Sequence, residues 1–248
     1  MGVGVTDWAK SIGFYNTDEG KPKRVMTYGD TGVGKTLFAA SWPKPFFIDT
    51  DRGGATLEGT GIPYLALNRG DKVFDVTMDV IRKLREKKPP FDKLEVETLV
   101  IDSFTNLAED IMIEAMRFPP PGLNAKDPNG AKPEWDHYAI AAARMKNIVM
   151  DARETGCHNV FICATKLEKD DVRGNFEGKP NIVGGYRDLI GYDFDYVFYQ
   201  TAEGVKDSRK FYLYTSKNTY FAAKSRTPKG KKPLEYRYEN PTFESIWK

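Results

Sequence analysis

Short, almost uninterrupted apolar runs alternate along the chain with stretches whose apolar residues recur at helical spacing. Arg24-Val25-Met26-Thr27-Tyr28 predicts a buried strand running into a glycine-rich loop, and a helix is expected from Lys35 to Trp42, stopped by Pro43. Phe46–Asp49 reads as a second strand and Tyr64–Leu67 as a short third. Between Val73 and Lys87, the residues Val76, Val80, Ile81 and Leu84 share one face, which predicts an amphipathic helix ended by Pro89 and Pro90. Thr98–Asp102 is the most apolar strand, followed by a helix over Leu107–Met116 and a long proline- and glycine-bearing loop over 118–134. An alanine-rich helix is expected over Tyr138–Glu154, then a buried strand at Val160–Ala164. Residues 166–191 are charged and glycine-rich with no clear period, and Tyr196–Gln200 and Phe211–Thr215 close the pattern as strands.

Strands apolar on both faces, alternating with helices, predict an α/β fold: a mostly parallel sheet covered by helices on both faces. The last two strands, joined through the polar stretch around Gly204 and Asp207, predict a C-terminal antiparallel β-hairpin. No internal repeat is visible.

Composition narrows this only a little. A length of 248 residues suits one α/β domain, the 40% hydrophobic content supplies a core, and a net charge of +2 selects no polyanionic partner. Cys157 and Cys163 have no CxxC partner, so they are expected as reduced thiols of a cytosolic protein, and His137 and His158 lie in different segments, which disfavours a histidine-built metal site. No run approaches the ~18 apolar residues of a membrane span, and the N-terminus lacks the apolar stretch of a signal peptide. A soluble cytoplasmic chain with no membrane partner is therefore expected.

The most specific chemistry lies in Gly29-Asp30-Thr31-Gly32-Val33-Gly34-Lys35-Thr36, a Walker A sequence that follows a predicted strand and opens a predicted helix, as the motif requires. Its glycines let backbone N–H groups wrap phosphates, Lys35 suits the β- and γ-phosphates of ATP, and the Thr36 hydroxyl suits Mg2+. Asp102, at the end of the most apolar strand, suits a Walker B carboxylate on the same magnesium, with Ser103 beside it. Asp49 and Asp51 end the second strand, where one of them can orient an attacking water; the same residues also suit an ordinary polar turn.

The order of these segments, Gly29–Thr36, then Phe47-Ile48-Asp49-Thr50-Asp51, then Val100-Ile101-Asp102-Ser103, resembles the RecA-like P-loop ATPase core, and among its members the minimal phage-encoded nucleotide-binding proteins that include single-strand annealing proteins. The resemblance covers roughly residues 22–228. Their Asp-Gly-Gly after the second strand is approached by Asp51-Arg52-Gly53-Gly54, and their glycine-proline stretch before a final core strand by Lys179-Pro180-Asn181-Ile182-Val183-Gly184-Gly185. The resemblance implies that Asp51 is the catalytic acid, as an aspartate where the family usually has glutamate. It implies that Thr165 is the polar sensor after the fourth core strand. It also implies that Lys224-Ser225-Arg226 is the basic motif presented to a neighbouring subunit's γ-phosphate in a ring or filament; the tripeptide equally suits a solvated basic turn. On this reading residues 1–22 form an N-terminal segment suited to oligomer contacts, 23–228 the ATPase core and 229–248 a tail.

Single-stranded DNA is the expected partner. From Lys206 to Lys232 the chain carries Lys206, Arg209, Lys210, Lys217, Lys224, Arg226, Lys229, Lys231 and Lys232 with Tyr212, Tyr214, Tyr220 and Phe221 interleaved. Basic residues attract phosphate and aromatic rings stack on bases, though a solvated hairpin with core aromatics has the same composition. The resemblance implies that the loops at 117–134 and 166–191 face DNA; the second is mixed in charge. A nucleotide switch or loading ATPase acting on a protein, and a small P-loop kinase, remain alternatives, although no lid with clustered arginines is visible.

Overall fold

The computed structural model describes residues 21–51, 54–68, 72–169, 174–228 and 230–248. The N-terminal segment assigned to oligomer contacts falls almost wholly outside the described residues, as do Arg52, Gly53 and Lys229.

Among the described residues ten strands form the sheet: β1 (Arg24–Gly29), β2 (Pro45–Asp49), β3 (Tyr64–Ala66), β4 (Thr98–Asp102), β5 (His158–Lys169), β6 (Phe176–Pro180), β7 (Tyr196–Glu203), β8 (Lys210–Tyr214), β9 (Lys224–Ser225) and β10 (Arg237–Glu239). Their order is β10-β8-β7-β1-β5-β4-β2-β3, with β6 on β5 and β9 on β7. The run from β3 to β7 is parallel, while β8, β10, β6 and β9 pair antiparallel. This is the mostly parallel α/β sheet that the apolar runs predict, and the last two expected strands, β7 and β8, pair antiparallel as their connection suggests.

Helices cover both faces because the strands are apolar on both. On one face pack α2 (Val73–Arg85), α3 (Phe104–Arg117), α4 (Trp135–Arg153) and α5 (Tyr186–Ile190), through Ile81, Leu107, Ile111, Met145 and Ile148 against Met26, Ile48, Leu99, Ile101 and Phe161. On the other lie α1 (Lys35–Ala40) and α6 (Phe243–Trp247), whose Phe38 and Ile246 join Val25, Phe47, Val100, Ile162 and Phe198.

Several boundaries differ from the expectation for local reasons. Helix α3 starts at Phe104 rather than Leu107 because Ser103 caps it, its side chain accepting the Asn106 N–H at 3.2 Å. Helix α4 starts at Trp135 because the Glu134 N–H donates to His137 Nδ1 at 2.9 Å, a reciprocal cap built from residue types that do not advertise one. Strand β5 runs on to Lys169, beyond the expected Ala164, because its distal half pairs with β6. That hairpin lacks an apolar period since charges cross between its strands, Glu168 meeting Lys179 at 3.4 Å, and Arg187 of α5 adds a contact to Glu168 at 2.8 Å. Residues beyond 228 add β10 to the sheet and dock α6, with Trp247 4.8 Å and Phe243 5.0 Å from Trp42 between ring centroids.

Ile246 is 7% exposed in this aromatic cluster. Ile246→Ala should therefore cost about 2–5 kcal/mol of unfolding free energy, measured by urea denaturation, because it leaves a cavity that three flanking rings cannot collapse into. An unchanged midpoint would show that α6 does not stabilise the core.

Candidate functional site

Parallel register brings the carboxyl ends of the strands to one rim. Gly29 lies opposite Ala164 of β5 and Gln200 of β7, while Asp49 lies opposite Asp102. The chain leaves β1 at Gly29, where a Cβ would stand 2.4 Å from the Gln200 carbonyl oxygen, so only glycine fits. Gly32 and Gly34 then adopt φ of +76° and +86°, a region that costs other residues energy. Gly34 precedes α1 with no side-chain cap, and no acidic residue occupies the first turn. The N–H groups and positive potential of that turn are left to an anion.

Lys35 and Thr36 emerge from this turn. Lys35 Nζ donates to the carbonyl oxygens of Gly29 at 2.9 Å and Asp30 at 2.7 Å, folding back over its own loop. Burial lowers its pKa, opposed chiefly by the charge of Asp102. The Thr36 hydroxyl donates to Asp102 Oδ2 at 2.6 Å. The two residues assigned to magnesium thus already touch, and a hydroxyl beside a carboxylate suits a hard, oxygen-seeking cation.

Asp102 is 7% exposed, and its pKa is pushed up from 3.8 to about 6. Desolvation is the main cause, with the charges of Asp51 and Asp49 adding to it, against the Thr36 hydrogen bond and Lys35. Its peptide bond to Ser103 is cis. Thr50 fixes the geometry here: its hydroxyl donates to the Ser103 carbonyl at 2.7 Å and accepts the Ser103 N–H at 2.9 Å, binding the ends of β2 and β4 together. Asp49 is buried and accepts the Asp51 N–H at 3.2 Å, while Asp51 is exposed at the mouth.

Thr165 stands one residue past Ala164, beside the start of the loop, and its hydroxyl oxygen is buried without a hydrogen-bond partner. An orphaned hydroxyl at the rim of a phosphate loop fits a site that accepts a polar ligand. The structure brings the loop residues Gly29, Asp30, Thr31, Gly32, Val33, Gly34, Lys35 and Thr36 to one rim with Asp51, Asp102 and Thr165.

Lys224 and Arg226 are elsewhere in the same chain. Lys224 pairs with Val197, itself opposite Met26, and Arg226 binds Asp195 at 3.1 Å beside Arg24. At ~3.3 Å per residue, Arg226 lies roughly 16 Å below Gly29 along β1. The expected basic stretch also divides on folding. Tyr212 and Phe221 are buried, Lys210 pairs with Glu239 at 2.7 Å, and of the four aromatics Tyr220 alone is largely exposed, at 70%. What sequence reasoning missed is Thr50, and the approach of Arg209 and Phe211 to the glycine loop from β8. Nothing in the local sequence around Arg209 signals its distant neighbours.

A family model described as an AAA domain matches residues 21–227. Among solved structures, a KaiC-like protein of the hyperthermophilic archaeon Pyrococcus horikoshii OT3 is similar, at 14% identity over 77% of each chain with a TM-score of 0.42. A search of curated proteins returns no match.

The raised pKa of Asp102 has a measurable consequence. Between pH 4 and 6 the folded protein keeps a proton that an unfolded aspartate has released, so the metal-free fold loses stability as pH rises through that window, by on the order of 3 kcal/mol. Asp102→Asn is neutral throughout and should gain on the wild type by that order in urea unfolding between pH 4 and pH 7. A pH-independent difference would mean that Asp102 ionises at its ordinary value.

Proposed function

The chain belongs to the AAA domain family, and from that premise we propose that it binds and hydrolyses ATP with magnesium, as an oligomer that acts on single-stranded DNA in recombination. The observation that carries the nucleotide half is the 2.6 Å contact between Thr36 of the Walker loop and Asp102 of β4. Lys35 exchanges its loop carbonyls for the β- and γ-phosphates, and Thr36 and Asp102 hold magnesium, which when bound neutralises phosphate charge. Asp51, at the open mouth, orients water toward the γ-phosphorus. As the new P–O bond forms and the bond to ADP breaks, the water proton passes to that carboxylate. Thr165 offers its free hydroxyl to the same group.

For the DNA half, the supporting feature is the β5–β6 hairpin, which continues past the rim of the site. It exposes Leu167 at 66% and Phe176 at 59%, near Lys166 and Lys169. Tyr220, exposed, lies beside it: the Gly178 N–H donates to the Tyr220 carbonyl at 2.7 Å. Exposed rings among lysines suit stacking on unpaired bases and contact with their phosphates. Residues 170–173 of the connecting turn, part of the loop expected to face DNA, lie outside the described residues. Phage origin and an annealing role come from the sequence resemblance alone.

The decisive measurement is ATP turnover with and without single-stranded DNA. Lys35→Ala should lose at least ~10²-fold in turnover, and Asp51→Asn should bind ATP normally while hydrolysing it slowly. DNA should accelerate the wild type. Turnover untouched by Lys35→Ala would refute the nucleotide site; absence of both DNA binding and stimulation would point to a protein partner.

Arg226 tests the assembly. It pairs with Asp195 far from the loop of its own chain, so a γ-phosphate that it serves belongs to a neighbour, and an arginine supplied in trans contributes ~10³–10⁵ in rate. Arg226→Ala should bind ATP and turn over slowly, and mixing it with Lys35→Ala should restore part of the activity through interfaces that pair an intact loop with an intact arginine. A mixture that co-assembles and stays inactive excludes that role.

A further inference from the structure

Arg209 has no part in the site as described so far, yet it stands against the Walker loop. It is exposed, and among the described residues no carboxylate and no side-chain hydrogen bond holds it. Its guanidinium carbon lies 5.8 Å from the centroid of the Phe211 ring. A Cβ at Gly32 would be 3.4 Å from Arg209 Nη2, and a Cβ at Gly34 would be 2.8 Å from the Phe211 ring. The two positive-φ glycines of the loop thus face this pair of side chains directly.

The pair is carried on a braced scaffold. Phe211 sits in the ladder between β7 and β8, opposite Ala202. On its other side Asn240 clasps its backbone, accepting the Phe211 N–H at 3.1 Å and donating its own N–H to the Phe211 carbonyl at 2.6 Å. Gly204, with φ of +81°, closes the β7–β8 turn so tightly that a Cβ there would be 2.6 Å from the Ser208 carbonyl oxygen. The approach of Phe211 to the loop is therefore set by the sheet, and Arg209 follows from the turn that leads into β8.

Direction across the sheet decides what they meet. The loop leaves β1, which lies between β5 and β7. The carboxylates Asp49, Asp51 and Asp102 come from β2 and β4, on the β5 side, and the contact of Thr36 with Asp102 marks that side as the metal and terminal-phosphate end. A nucleotide whose terminal phosphates lie there points its nucleoside the other way, toward β7 and β8. We propose that Arg209, backed by Phe211, holds the nucleoside end of the nucleotide, laying its planar guanidinium against the base. The inference rests on the nucleotide-binding reading above and specifies which residues grip the part of the ligand that the Walker loop does not. A guanidinium suits this position because it is planar, permanently charged and stacks on π-faces; a lysine ammonium has the charge without the plane.

The test separates nucleoside from phosphate. Binding of ATP, ADP and inorganic tripolyphosphate, each with magnesium, is measured by calorimetry for the wild type, Arg209→Ala and Arg209→Lys. Arg209→Ala should weaken ATP and ADP roughly tenfold, the scale of one desolvated cation–π contact, and leave tripolyphosphate within about twofold. Arg209→Lys should regain only part of the loss. An equal loss for tripolyphosphate would make Arg209 a phosphate or bulk-charge contact and overturn the assignment, as would unaltered ATP binding by Arg209→Ala. A wild type that binds tripolyphosphate as tightly as ATP also overturns it while sparing the phosphate site. A wild type that binds none of the three removes the nucleotide reading itself.

Discussion

The site depends on the burial of β1 between two parallel neighbours. Val25, Met26 and Tyr28 are fully buried, and the strand is hydrogen-bonded to β5 on one edge and β7 on the other. Because side chains alternate across a strand, a slip of one residue would turn its buried set over and carry Gly29 away from Ala164 and Gln200. The loop would then leave the sheet one residue too early or too late, and Thr36 would no longer meet Asp102. A phosphate cradle made of backbone has few side-chain anchors of its own. Its position is inherited from the ladder beneath it.

Negative charge gathers at the rim. Asp49 and Asp102 are buried side by side on adjacent strands, Asp51 stands above them, and Lys35 is the cation that bears on Asp102. Burial makes ionised Asp102 costly, and the neighbouring carboxylates add to that cost. On the proposed magnesium reading, a divalent cation held by Thr36 and Asp102 would relieve both at once. Lys35, meanwhile, spends its donors on the carbonyls of its own loop, partners weaker than a phosphate.

How much of this could be read from the chain followed from distance in sequence. The Walker loop is contiguous, and strand, glycines and helix are all local signals, so it was legible in full. Asp102 was legible because a lone carboxylate closing the run Thr98–Ile101 stands out. Thr165 needed the resemblance, since nothing local marks it. Thr50 was hidden because its partner is Ser103, on another strand. The β5–β6 hairpin was hidden because cross-strand charge, rather than apolar alternation, dresses it. Of the basic, aromatic stretch after Lys206, sequence alone could not show that Tyr212 and Phe221 turn inward while Tyr220 turns out. Burial there is decided by neighbours distant in sequence: Phe221 stacks on Tyr199 with ring centroids 4.5 Å apart, and Arg237 of β10 lies 4.5 Å from the centroid of the Tyr212 ring.

The sheet also ends in a telling way. Its outer strands, β3 and β10, have three residues each, and β10 carries Arg237 and Glu239 at its tips. Edges so short, one of them charged at both tips, offer few unpaired N–H and C=O groups to a further strand. Among the described residues, the two ends of the main strand path therefore give a further strand little to pair with, and what these edges expose is side chain and loop.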